Sequence, residues 1–369
     1  MTVLRIGVDA REVLGDATGV GRYLGELLRR WTSRTDASLR RFVLYAPERI
    51  PLALAPGAAE LRVIEGGRGT WWEQTALRFA VRRDPLDVFF APAYTAPLGL
   101  RVPLAVTIHD VSFLAHPEWF RPREGVRRRW LTARAAATAA VVFTDSDFSR
   151  SEIEKHLRTP PSRIRVIPPG VTPRHGAGGS EARREPLVLY VGSLFNRRRL
   201  PQLIEAFARA TRDMPSARLA IVGDDRTWPP QNLAAVAEAH GVASRVELSS
   251  YVDEATLASL YSRAAAFAFL SEYEGFGLTP LEAIAAGVPA VVLDTRVARE
   301  VYGAAATYVR RDDVTATADA FRALLTDPGV GAATLSHAPE VLARYSWNRA
   351  ADETLADIER VATTAPSPP

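Results

Sequence analysis

Residues 271–289 read Ser-Glu-Tyr-Glu-Gly-Phe-Gly-Leu-Thr-Pro-Leu-Glu-Ala-Ile-Ala-Ala-Gly-Val-Pro. The apolar run 264–271 that leads into them has the length and composition of a buried strand, so the loop 272–278 leaves a strand and enters a helix. Thr279 then reads as the helix N-cap, Pro280 as its first residue, and Glu282, three after the cap, as the partner in a capping box. Gly287 and Pro289 close the helix, and 290–294 is the next strand. Two carboxylates, Glu274 and Glu282, bracket the loop. A helix start offers unpaired N–H groups and the positive end of a dipole, which suits a phosphate. Carboxylates repel phosphate but suit hydroxyls, so the pattern fits a phosphate with hydroxyl-rich groups on both sides, as in a nucleotide sugar. The purely structural alternative has Glu282 bonding back to the Thr279 amide and Glu274 as a solvated loop residue.

The same alternation of short apolar runs with longer amphipathic stretches fills the chain, the pattern of βαβ units. Strands are expected near 3–9, 41–46, 87–91, 102–108 and 140–145, and again near 187–192, 218–223, 245–249, 265–270, 290–294 and 306–309. Between the two sets lie Pro168-Pro169-Gly170 and the polar, glycine-rich segment 172–186. The expectation is an α/β chain of two Rossmann-like domains: 1–170, a linker at 171–186, and 187–345. A final helix begins at 346 and returns toward the first domain, and Pro366–Pro369 are a frayed end.

Ligands of open α/β sheets bind at the carboxyl ends of strands. One such end carries Arg197-Arg198-Arg199, whose guanidinium forks suit a diphosphate; the alternative is a solvated basic turn. Another ends in Thr107-Ile108-His109-Asp110, where His109 either faces a crevice, able to orient a sugar or exchange a proton, or is satisfied by Asp110. After the first strand, Gly19 and Gly21 precede an amphipathic helix and resemble a phosphate-approach loop, though the spacing is not the dinucleotide fingerprint. Asp145-Ser146-Asp147 has the form of a metal clamp but reads more simply as a helix N-cap at Asp145 or Ser146. Arg121–Arg134 holds six arginines among Trp119, Phe120, Trp130 and Leu131. It reads either as a peripheral membrane patch or as an exposed helix face.

At 369 residues the chain exceeds one ordinary core. It has no cysteine and only six scattered histidines, so neither thiolate chemistry nor a histidine-built metal site is expected. No apolar run reaches the ~20 residues of a membrane span, and the N-terminus reads as a strand rather than a leader. A cytoplasmic protein is expected, with the inner membrane face a possible working place. A formal net charge of +4 is too small to argue for a nucleic-acid partner.

Taken in order, these segments resemble the retaining glycosyltransferases of the GT-B fold, in family four, and among them bacterial mannosyltransferase-like members. The resemblance runs through Thr18-Gly-Val-Gly-Arg-Tyr23, Thr107-Ile-His-Asp110, Pro117-Glu118, Asp145-Ser-Asp-Phe-Ser-Arg150 and Val166-Ile-Pro-Pro-Gly-Val171. It continues through Val191-Gly-Ser-Leu194, Glu274-Gly-Phe-Gly277, Glu282-Ala283, Glu300-Val301 and Tyr345-Ser-Trp347. It implies two parallel-sheet domains facing across a cleft and transfer of a hexose, mannose first, to a glycan, lipid-linked or small-molecule hydroxyl. It further implies that Glu274 holds donor-sugar hydroxyls, that Glu282 holds the ribose, and that the amides of Phe276, Gly277 and Leu278 touch phosphate or sugar. Arg197 and Arg198 would neutralise the diphosphate, Gly19 and Gly21 would close over it, and His109 and Asp110 would stand on the acceptor side. The donor would be GDP-mannose or a UDP-sugar, with no separate cofactor and no metal. The chain departs from the family in having Arg197-Arg198 where many members have Arg-Lys, and Ser249-Ser250 where a glycine is usual. The alternatives are a non-catalytic nucleotide-sugar-binding subunit or sensor, and a GT-B epimerase.

Overall fold

The structure is a computed structural model that describes residues 3–15, 19–36, 39–54, 57, 59–172 and 184–364. The chain separates into two compact units, one of residues 1–115, 122–170 and 346–369, the other of 116–121 and 171–345.

The first unit is a seven-stranded parallel sheet in the order β3-β2-β1-β4-β5-β6-β7. Its strands are β1 Leu4–Asp9, β2 Arg40–Ala46, β3 Ala59–Val63, β4 Val88–Ala91, β5 Leu104–Thr107, β6 Val141–Thr144 and β7 Ile164–Val166. The inner strands are apolar runs buried on both faces, which is why their sequence does not alternate. β3 and β7 were not expected: β3 is an edge strand with half-exposed residues, and β7 has only three residues. The helix Gly19–Thr32 buries Leu24, Leu27, Leu28 and Trp31 against this sheet. The last helix, Trp347–Thr364, belongs to the same core through Leu355, Ile358 and Val361. Trp31 joins the two helices: its ring stacks on Phe42 at 5.6 Å and its indole N–H donates to the Ala351 carbonyl at 2.8 Å. Gly170 allows this helix to dock, because a Cβ there would lie 2.2 Å from the Trp347 backbone nitrogen.

The second unit is a six-stranded parallel sheet in the order β10-β9-β8-β11-β12-β13. Its strands are β8 Glu185–Val191, β9 Arg218–Val222, β10 Val246–Ser249, β11 Ala264–Phe269, β12 Ala290–Leu293 and β13 Ala306–Val309. Strand order reverses between the neighbours β8 and β11, so the loops leaving these two strands diverge over one crevice.

Two expected boundaries need correction. Residues 116–121 fall with the second unit, not the first. His116 stacks on Trp119 at 4.0 Å and meets the Tyr273 ring edge at 5.5 Å, while the Arg121 guanidinium lies 5.4 Å over Trp228. Those aromatic contacts decide the segment's place against its position in sequence. The basic segment 121–134 is therefore divided, and Arg128 within it turns inward over Tyr94 at 4.4 Å. The linker also ends sooner than expected, since β8 already begins at Glu185; residues 173–183 and the tail 365–369 lie outside the described residues. Among the described residues no helix is long and apolar enough to cross a membrane.

Candidate active site

In the second unit, chain leaving β8 makes a tight turn at Asn196–Arg198. Arg199 takes a left-handed conformation there (φ 54°, ψ 41°) and heads the helix Leu200–Ala210. Chain leaving β11 supplies Ser271–Gly277. The two loops meet through charge. Arg198 Nε lies 3.0 Å from Glu274 Oε1 and its terminal nitrogen donates to Oε2 at 3.2 Å. Arg197 Nε is 3.7 Å from the same carboxylate, and Ser271 Oγ donates to it at 2.5 Å. The Arg197 and Arg198 guanidinia rest on the Phe195 and Phe269 rings at 4.2 and 4.5 Å. Nε of Arg197 is buried without a hydrogen bond, so this cation is held in place by packing rather than by saturated bonding. Arg199 does something else. It is bound by Glu272 at 2.6 Å and by Asp312, so the third arginine ties loops together and is not available to a diphosphate.

The helix start differs from the sequence expectation. The helix runs Leu278–Ala285 and its N-cap is Gly277, at φ 87°, with no side-chain cap bond. Thr279 is inside the first turn, so there is no capping box. Glycine wins the cap because the chain must turn left-handed in a space where a Cβ would sit 2.1 Å from the Tyr302 hydroxyl. That hydroxyl donates to the Gly277 carbonyl at 2.9 Å. Burial first, then the Glu274 charge, holds the Tyr302 phenol well above its ordinary range, so it stays a donor. The amides of Phe276, Gly277 and Leu278 fall at this start, where helical geometry supplies no intrahelical acceptor. Glu282, only 2% exposed, is a buried carboxylate one turn further on, without the capping role that would have explained it structurally.

In the first unit, His109 follows β5 and is held on both sides. Its Nδ1 lies 2.8 Å from Asp145 Oδ2 and its Nε2 lies 3.1 Å from the Pro92 carbonyl. Both partners accept, an arrangement that favours a proton on each ring nitrogen and leaves no lone pair directed at a substrate. Burial opposes this charge, but Asp145, by charge and by hydrogen bond, then Asp110 and the Pro92 carbonyl, outweigh it and raise the pKa above 6.5. Asp145, not Asp110, is thus the partner of His109. Asp110 instead accepts from the Tyr94 hydroxyl at 2.8 Å and the Ser112 amide at 2.7 Å. Ser146 is the N-cap of the helix Asp147–Leu157, accepting from the Ser149 amide, and Asp147 pairs with Arg150 at 3.0 Å. Because the native pKa of His109 is raised, its stabilising contribution is complete below 6.5 and is lost as pH climbs through the native value. Asp145→Asn should remove the strongest opponent of burial and bring the midpoint down; proton NMR titration of the His109 ring measures it, and an unmoved midpoint overturns the pairing.

Gly19 and Gly21 lie within the first turn of their helix, not in a loop before it, and Thr18 lies outside the described residues. Near that helix, sequence reasoning missed a buried charge cluster. Arg11 bonds Asp9 at 3.0 Å and also Glu73, which accepts from Thr95 Oγ1 at 2.7 Å. Burial, with Arg11 opposing and Glu73 assisting, lifts the Asp9 carboxyl to about 6. Asp9 at a strand's end was a visible signal; Glu73, in a helix beyond an unrecognised edge strand, was not. Among the described residues no three His, Asp or Glu side chains form a metal-ligating group.

Residues 17–175 match the family model described as Glycosyltransferase Family 4, and 177–340 match that described as Glycosyl transferases group 1. The chain is 26% identical over 300 residues to O-antigen chain mannosyltransferase B of Escherichia coli, covering 74% of each protein. It is 28% identical to alpha-D-kanosaminyltransferase of Streptomyces kanamyceticus, covering 71% of each. It is also 28% identical to the GDP-mannose:cellobiosyl-diphosphopolyprenol alpha-mannosyltransferase of Xanthomonas campestris, covering 69% of this chain and 67% of that one. Its fold is that of WaaG, a glycosyltransferase of lipopolysaccharide biosynthesis (TM-score 0.74, 20% identity, 96% of this chain and 99% of that one). It is equally that of Anabaena HepE solved with UDP and glucose (TM-score 0.74, 17% identity, 97% and 100%). With one matching model on each half and this fold throughout, the chain is a GT-B glycosyltransferase.

Proposed function

We propose that the protein is a retaining, metal-independent transferase that moves a hexose, mannose first, from GDP-mannose or a UDP-sugar to a hydroxyl of a glycan, lipid-linked or small-molecule acceptor. The observation that carries this reading is the meeting of Arg197, Arg198 and Glu274 beside the helix start at Leu278, at the strand-order reversal between β8 and β11. The E. coli and Xanthomonas relatives are mannosyltransferases by name, which supports mannose; HepE was solved with UDP and glucose, which keeps a UDP-sugar in view.

In this reading, donor phosphate and Glu274 compete for the same two guanidinia. Phosphate oxygens take the Arg197 and Arg198 forks, and the displaced carboxylate accepts from sugar hydroxyls. Breaking the anomeric bond puts positive charge on the sugar and negative charge on the diphosphate. The two arginines and the first-turn amides stabilise the second charge, and Glu274 the first. His109 directs no lone pair at a substrate, so the leaving phosphate receives the acceptor proton in a front-side displacement that keeps the anomeric configuration. Glu282 contacts the ribose.

A thermal-shift screen of nucleoside diphosphates and their sugars tests the reading. One base should stabilise the protein clearly, and Arg197→Gln with Arg198→Gln should weaken that ligand by about 100-fold, roughly tenfold per charge-assisted contact. Stabilisation by none of these ligands would sink the proposal.

A further inference from the structure

The helix that follows β3 runs Thr70–Arg83 with a π turn at Glu73–Leu77. Its inner side is the buried cluster at Glu73, and π turns are often found at functional sites. Its outer side has no assigned role. There, Thr75, Arg78, Phe79, Arg82 and Arg83 line a groove of about 550 Å³ that Arg101 closes from the loop before β5. Four arginines thus converge on one hollow whose lining contains no carboxylate.

Neighbouring surface arginines are paired: Arg41 and Arg62 with Glu60, Arg68 with Glu48. Among the described residues, none of Arg78, Arg82, Arg83 and Arg101 forms an ion pair. Arg78 and Arg82 stand one helical turn apart, a like-charge spacing that destabilises a helix. The groove is also fixed in shape. Gln74 donates to the Ala96 carbonyl at 3.0 Å and accepts from the Leu98 amide at 3.0 Å, which pins the helix to the loop leading to Arg101. Arg83 lies 3.9 Å over the Phe79 ring. Two aromatic side chains stay open along the same helix, Trp71 at 82% and Phe79 at 57% exposure.

We infer that this groove is a second anion site that binds the phosphate or diphosphate group of the acceptor. The proposal deepens the transfer reaction above and rests on it only for the word acceptor. Convergent guanidinium forks match tetrahedral oxyanions bidentately, and the volume suits a small group rather than a polymer. The anion neutralises the repulsion among the four cations. It has two possible sources: a water-soluble phosphorylated acceptor, or a lipid-linked one whose apolar part meets Trp71 and Phe79.

The test uses the intact chain preloaded with a saturating nucleoside diphosphate, so that the Arg197–Arg198 site is occupied. Inorganic diphosphate is then titrated by calorimetry, and sedimentation with phosphatidylglycerol vesicles is run in parallel against phosphatidylcholine. Diphosphate binding that weakens about 100-fold in Arg78→Gln/Arg82→Gln supports a phosphate site open to soluble ligands. Selective sedimentation with phosphatidylglycerol that the same variant loses supports the lipid source. Absence of both in the wild type, or binding unchanged in the variant, overturns the proposal. Nucleoside diphosphate affinity of the variant should equal that of the wild type; a wild type that binds no nucleoside diphosphate would instead defeat the transferase reading, leaving the groove to be judged by titration without preloading.

Discussion

Replacing Glu274 by glutamine is expected to lower the transfer rate by about 10²–10³-fold while sparing nucleoside diphosphate binding. The substitution keeps the size of the side chain and a hydrogen-bonding oxygen for Ser271, which reaches Glu274 at 2.5 Å, but removes the negative charge. Two consequences follow from one deletion. The positive charge that develops on the transferred sugar loses its counter-charge, which slows the chemistry. Arg198 loses a competitor 3.0 Å from its Nε, which leaves it readier for phosphate. The kinetic signature is therefore a fall in kcat with unchanged or tighter nucleoside diphosphate binding, read by release of free nucleoside diphosphate and by calorimetry. Near-normal turnover would remove Glu274 from the sugar contact.

Gly277→Ala should be nearly as damaging, for a different reason. A left-handed φ of 87° is costly for alanine, and its methyl would meet the Tyr302 hydroxyl at 2.1 Å. Together these suggest a loss of about 2–4 kcal/mol of stability, or a displaced helix start if the loop yields instead. Either outcome misplaces the amides at Phe276–Leu278, so stabilisation by nucleoside diphosphate should disappear. Tyr302→Phe in the same chain removes the oxygen that the methyl strikes, and should recover part of the melting temperature but not the backbone cost. If the single variant melted and bound ligand like the wild type, the cap assignment would fall.

How much of this could be read in advance depended on burial and on distance along the chain. Five strands of the second sheet were legible because they are largely apolar runs; β10, Val246-Glu-Leu-Ser249, is a half-exposed edge strand that the βαβ spacing placed instead. β3 escaped because Ala59-Glu-Leu-Arg-Val63 is an edge strand whose polar residues face water, so no apolar run marks it. The capping-box motif at Thr279–Glu282 was present in residue types yet absent in space, since a motif of letters does not report φ, and Gly277 offered a conformation that threonine could not. Loop chemistry at one strand end, as in Arg197 and Arg198, was visible because those residues are adjacent. Pairings across 36 residues, as between His109 and Asp145, or 62, as between Arg11 and Glu73, were not. Nothing local distinguishes a carboxylate that reaches a distant partner from one that faces solvent.

The place of the last helix also bears on how the protein is made. Trp347–Thr364 completes the core of the unit that is synthesised first, and Trp31 finds its hydrogen-bond acceptor at Ala351. A nascent chain emerging from the ribosome therefore holds a first sheet without its covering helix until synthesis is nearly complete. The second unit, whose sequence ends at Tyr345, has all its strands outside the tunnel earlier. The half of the enzyme translated second is the half able to fold first, and the exposed apolar face left by the absent helix is where a chaperone would be needed during translation.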